Sequence, residues 1–193
     1  GASRLLTLLG LTDSAEVGGL LSDALRDERP AIRAAAAIGL KQIRGKLVQA
    51  GGNYLKRAAD GLVLAAKAET SPGALEAMYE ALNFAEITPS QTNDTLRYYF
   101  DVFEARRAMY VADKVPAEGA ELAALRSMTG LLKSVQGSNQ QQYGIFLGTL
   151  LRYFTDIYTT DLPGEPALRK VQETDGREMI HRRDTAELII RDA

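Results

Sequence analysis

The chain has 193 residues, 46% hydrophobic and 25% charged, with a formal net charge of −2. That length suits one domain with a sizeable core, and the near-neutral balance supplies no global field to attract nucleic acid or an anionic membrane. The chain has no cysteine, which excludes disulfides, thiolate catalysis and Cys-based zinc sites.

Residues 4–11 (RLLTLLGL) read as a two-turn apolar helix behind a Ser3 cap, too short to stand alone. Asp13 and Glu16 have capping-box spacing, and Val17, Leu20, Leu21, Ala24 and Leu25 recur at three and four, giving a helix with one apolar stripe. A charged turn ends at Pro30, which suits the first position of a new helix. This second helix is expected from Pro30 towards Ala50, with Ile32, Ala35, Ala36, Leu40, Ile43, Leu47 and Val48 inward. Its run of small residues from Ala34 to Ala37 lets another backbone come close. Gly51 and Gly52 break the chain.

Asn53 is the expected cap of a third helix, residues 54–68. Ser71 and Pro72 open a fourth, carrying Leu75, Met78, Tyr79 and Leu82. A fifth is expected over residues 96–112, a sixth over 117–135 and a seventh, strongly apolar, over 143–158. From residue 169 to the end about half the residues are charged. Two readings stay open there: a small β-hairpin around Thr174–Asp175–Gly176–Arg177, or a short helix pair ending in residues 185–190. No run of about 18 apolar residues occurs, so no membrane-spanning helix is expected. No charged-then-apolar leader opens the chain, and Gly1 stands where a start methionine would. The compartment stays open: a soluble protein, cytoplasmic or exported with its signal peptide removed.

Pro30 and Pro72 each open a helix after a polar turn, 42 residues apart. Ala35 and Ala77, and Leu40 and Leu82, share that offset, and the helix start near Pro116 follows about 44 residues after Pro72. A period of about 40–47 residues with two helices per unit is typical of helical arrays. The stretch from Leu20 to Ile43 resembles a HEAT repeat: Asp27 lies in the turn, Arg33 follows six positions later, and Ala35, Ala36, Leu40 and Ile43 follow on the second helix. The resemblance is confined to this unit. Glu69 stands in for the Asp in the second unit, but Leu75 falls where the Arg would be. The unit near Pro116 keeps only the helical pattern.

The resemblance implies an all-α, right-handed α-solenoid of about three to four antiparallel helical hairpins over residues 1–163, with a charged C-terminal appendage over 164–193. It also implies that Asp27 and Arg33 form a structural ladder, tying the turn to neighbouring repeats by charge-assisted hydrogen bonds.

Little in the sequence points to catalysis. His181 is the single histidine. It sits between charged residues in the tail and reads as a solvated side chain, without carboxylates at ligand spacing or a nucleophile elbow. The glycines form no phosphate-binding fingerprint. No catalytic residue, cofactor or metal ligand is assigned. Arg26, Arg29, Arg33, Lys41, Arg44 and Lys46 read as a solvated helix face, given the nearby Asp23, Asp27 and Glu28.

Ten of the thirteen Phe and Tyr residues lie between Tyr98 and Tyr158, more than one buried stripe can hold. Tyr98, Arg106 and Tyr153 are the least core-like of this region and the candidates for a partner surface. Residues 138–151 carry no charge, so their helix must be covered on two sides, by the tail or by a second chain meeting the segment from Ile145 to Tyr158. The expected function is a non-enzymatic protein–protein interaction scaffold. The alternatives are a HEAT-like nucleic-acid-binding, ligand-binding or enzymatic domain, with nucleic acid disfavoured by the charge, and a self-associating structural module.

Overall fold

Apolar residues recurring at three and four build helices and little else. The computed structural model describes residues 1–12, 14–111, 118–137 and 140–161. These form nine α-helices, with no strand among the described residues. They are α1 (Ala2–Gly10), α2 (Val17–Ala24), α3 (Pro30–Gln42), α4 (Arg44–Ala50), α5 (Gly52–Ala68), α6 (Pro72–Leu82), α7 (Thr92–Val111), α8 (Glu118–Gln136) and α9 (Gln140–Asp161). Two 3₁₀ turns, Phe84–Glu86 and Pro89–Gln91, join α6 to α7. Asp13, the tail with its two readings, and the side chain of Tyr153 lie outside the described residues.

The helix boundaries follow local chemistry. Pro30 and Pro72 sit at the first turns of α3 and α6, where a missing N–H costs nothing. The expected single helix from Pro30 to Ala50 is instead two. It breaks at Ile43 (φ −90°, ψ 7°), and the bend lets the next residue, Arg44, turn its side chain inward. The third helix starts at Gly52 and is not capped by Asn53. Gly51 (φ 61°) and Gly52 (φ 49°) both take positive φ, which glycine tolerates best, and they complete the turn before Asn53 is reached. Ser71 precedes α6 without a side-chain cap bond.

The helices pack in two rows. In one, α2 lies on α5, α5 on α7 and α7 on α9; in the other, α1 lies on α3, α3 on α6 and α6 on α8. Across the rows α2 meets α3, α5 meets α6, and α8 meets both α7 and α9. One continuous core runs between them, from Leu21, Leu40 and Leu47 through Leu62, Leu75 and Met78 to Phe103, Met128 and Phe146.

The filling changes along the stack. The early helices pack alanine and leucine, and the later ones pack rings. Tyr79 meets Tyr99 edge-on at 5.7 Å, and Phe100 of α7 stacks on Phe146 of α9 at 4.9 Å. Such ring pairs add about 0.5–1.5 kcal/mol beyond the area they bury.

At the early end the crossing of α1 over α3 is tight enough to require glycine on both helices. A Cβ at Gly10 would lie 2.8 Å from the Cα of Gly39 and would collide with the Gln42 side chain. A Cβ at Gly39 would lie 3.0 Å from the Leu6 carbonyl. Backbone cannot yield as a flexible side chain can, so Gly10→Ala is expected to cost about 1–3 kcal/mol through overpacking and to release α1. Gly45→Ala, in the open on α4, is expected to gain about 0.5–1 kcal/mol. Urea midpoints, with hydrogen exchange read over α1, check both expectations.

Candidate functional site

The turn between α2 and α3 is closed by Asp27, whose carboxylate accepts the Arg29 backbone N–H at 2.9 Å and the Arg29 Nε and Nη2 at 2.8 Å each. These side-chain and backbone hydrogen bonds from Arg29 hold the Asp27 carboxyl well below the usual carboxylate range. Arg33 does not reach that carboxylate by hydrogen bond. Its Nη1 donates to the carbonyls of Asp27 (2.8 Å) and Glu28 (2.9 Å). These are carbonyls just past the end of α2, where cations are favoured.

The other edge of the Arg33 guanidinium forms a two-point pair with Glu69, Nε to Oε2 at 2.6 Å and Nη2 to Oε1 at 2.7 Å. Glu69 lies in the next interhelical turn, only 3% exposed. Its Oε1 also accepts the backbone N–H groups of Thr70 and Ser71, each at 2.9 Å. Burial pushes the Glu69 carboxyl up; the Arg33 hydrogen bonds and the two amides outweigh this and leave it below its ordinary value.

Arg106 arrives at the same turn from α7. It was expected on a partner surface; the structure corrects this, because Arg106 is only 1% exposed. Its Nη1 donates to the carbonyls of Glu69 (2.7 Å) and Ala66 (3.3 Å), so it closes the end of α5. Arg44 has the same kind of role at the far end of α6. Its Nη1 donates to the carbonyls of Glu80 (2.8 Å) and Asn83 (2.6 Å), and its Nη2 to Glu86 Oε2 at 2.7 Å.

The basic run that read as one solvated face is therefore divided. Arg33 and Arg44 turn inward, Lys41 pairs with Glu80 across α3 and α6 at 2.8 Å, and Arg29 and Arg26 stay outside. An Arg that caps a neighbour's carbonyls looks, in sequence, the same as one that points into water.

The described residues include two grooves open to a ligand. One, about 430 Å³, lies between α2 and α5 and is lined by Ser22, Asp23, Arg26, Asn53, Lys56, Arg57, Asp60, Gly61 and Leu64. Asp23 pairs with Arg57 at 3.0 Å and Lys56 with Asp60, so among the described residues Arg26 is the cation of this groove left without a carboxylate. Exposed Leu64 adds an apolar contact beside it. The second, about 560 Å³, lies between α1 and α3 on Leu8, Ala31, Ala34 and Ile38, with Arg4 as its one charged lining residue.

Of the two tyrosines expected on a partner surface, Tyr98 is half-buried on α7, edge-on to Phe84 at 6.2 Å, with the Arg97 guanidinium 5.4 Å from its ring centre. Tyr153 lies on α9, far along the chain from Tyr98. Among the described residues no group of three or more His, Asp or Glu side chains is placed to hold a metal ion, and no helix is long and apolar enough to cross a membrane. No family model matches the chain, and no curated protein or solved structure matches it.

The Glu69 cluster carries a pH signature. A carboxyl held below its ordinary value stabilises the fold above that value, about 4.3 for Glu, and loses this contribution as pH falls through the folded-state value. Glu69→Gln is expected to lose about 2–4 kcal/mol near neutrality, because it leaves the Arg33 charge without its partner. It is also expected to flatten the fall in stability as pH drops below the ordinary glutamate range. Urea midpoints across that range measure both effects, and an acid limb as steep as that of the unmodified chain would refute the assignment.

Proposed function

We propose that this chain is a non-enzymatic interaction scaffold, a HEAT-like right-handed solenoid that presents its rows of helices to an extended protein segment. The observation that carries the reading is the match between two interhelical turns. Arg29 (φ −86°, ψ 119°) and Ser71 (φ −87°, ψ 120°) precede Pro30 and Pro72 with the same backbone geometry. In both turns a carboxylate two residues earlier, Asp27 or Glu69, accepts the amide of that residue at 2.9 Å. One local structure used twice, 42 residues apart, supports a repeated hairpin, and stacked hairpins make long continuous surfaces suited to extended partners.

The groove between α2 and α5 is the assigned contact. It offers the Arg26 guanidinium for a carboxylate and Leu64 for an apolar side chain, while its other charges are already paired. A segment with an acidic residue beside an apolar one fits that chemistry. Phosphate-rich nucleic acid is the poorer fit, because Asp23 and Asp60 line the same groove.

Selection from a random peptide library displayed on phage tests the reading. Enriched sequences are expected to carry an acidic residue next to an apolar one. Their binding is expected to weaken about tenfold or more (about 1.4 kcal/mol) on Arg26→Glu and on Leu64→Asp. Peptides that bind both variants as well as the unmodified chain would place the contact elsewhere.

A further inference from the structure

The two ends of the stack are stepped, and the steps are complementary. Among the described helices, the row α1–α3–α6–α8 begins one position before the row α2–α5–α7–α9 and ends one position before it. So, among the described helices, α1 is the first of its row, ahead of α2, and α9 is the last of its row, beyond α8. The next place in the α9 row is one that α2 would fill, and the next place in the α8 row is one that α1 would fill. We propose that the chain associates head to tail with a second copy of itself, α1 and α2 of one copy extending the rows that end in α8 and α9 of the next.

The faces that would meet are suited to it. Residues two apart on a helix point about 200° apart, to opposite sides. On α1, Gly10 faces α3, Leu8 borders the groove between α1 and α3, and Leu5 lies on the far side, 60% exposed. On α2, Ser22 lies against Gly61 of α5, and Leu20 lies on the far side, 62% exposed. The leading end is thus a ridge of leucines.

The trailing end has the opposite relief. On α9, Phe146 packs on Phe100 of α7, and Gly144 and Gly148, two residues away on either side, lie on the opposite side with nothing among the described residues within 4 Å of a Cβ. On α8, Gly130 stands two residues beyond the buried Met128 and is equally open. Exposed Ile145 adjoins the α9 glycines. Leucine ridges over glycine-lined helices are the shape match that ridge-into-groove packing needs.

Charge agrees with shape. Residues 138–151 carry no charged side chain, and α1 carries Arg4 alone. A charged peptide or a phosphate surface would find no counter-charge on the outward face of α9 over residues 140–151, whereas the leucine face at the other end of the same molecule loses nothing by covering it. The junction continues the helix-on-helix packing that joins α7 to α9 and α1 to α3 within the chain. It is heterologous, so it leaves a free α1 end and a free α9 end on every assembly and adds copies progressively.

That asymmetry supplies the test. One variant, Leu5→Glu with Leu20→Glu, blocks the leading end; another, Gly144→Arg with Gly148→Arg, blocks the trailing end. Mass is read by sedimentation velocity and light scattering from micromolar to millimolar concentration, with helical content checked by circular dichroism. The unmodified chain is expected to grow in mass with concentration, and each variant alone to stay monomeric. A mixture of the two variants is expected to form a 1:1 dimer, because one leading and one trailing face remain intact between them. A strictly monomeric unmodified chain overturns the proposal. So does a mixture that stays monomeric while the unmodified chain associates, which would indicate a face pairing with itself. Should the arginine pair disturb helicity, Ile145→Glu blocks the same face with a single exposed change.

Discussion

Glu69 keeps a full negative charge where water scarcely reaches, in the turn between α5 and α6. A carboxylate so placed costs several kcal/mol in lost hydration unless its oxygens are occupied. Here both are. Arg33 binds them from α3 of the preceding hairpin, and the amides of Thr70 and Ser71 bind Oε1 from the turn itself. Arg106 of α7 then takes the Glu69 carbonyl. Three successive hairpins therefore converge on one residue, from α3, from α5–α6 and from α7. Their relative height is set by two-point guanidinium geometry, which tolerates little slippage, whereas leucine and alanine contacts alone permit small slides.

Seen this way, the core and the polar turns divide the work. The apolar rows supply most of the favourable free energy of folding, and the arginines select one arrangement of the rows. Arg44 repeats the device at the opposite end of α6, where it binds the carbonyls of Glu80 and Asn83. The outer pairs, such as Asp23 with Arg57, are exposed and count for little in stability, but they decide which charges of the groove between α2 and α5 stay unpaired.

The helices were legible because their signals are local: Pro30 and Pro72 at helix starts, Gly51–Gly52 as a break, and leucines at three and four. What failed depended on distance in space. The break at Ile43 has no proline to announce it, and the side chain it releases, that of Arg44, finds its acceptors 36 and 39 residues later. Arg106 was read as surface because a guanidinium is seldom buried; its burial rests on two carbonyls that belong to another hairpin. Glu69 was noticed as the counterpart of Asp27, but its pairing with Arg33 spans 36 residues and has no local signal. The groove between α2 and α5 was not foreseen at all. Its lining residues read singly as ordinary polar positions, and only the packing of α2 on α5 brings them together.

Arg33, Arg44 and Arg106 share one habit: each donates to main-chain carbonyls of a turn or helix end in a neighbouring segment. A carbonyl oxygen is present whatever side chain its residue carries. The anchoring arginine thus places almost no demand on the side chains of residues 28 and 80, both exposed, and each can be replaced by any residue that keeps the local backbone path. Joints of this kind let the sequence of one hairpin drift while its seat on the next survives. A chain built on them can keep its helices seated on one another while the sequences of successive helix pairs come to look unlike.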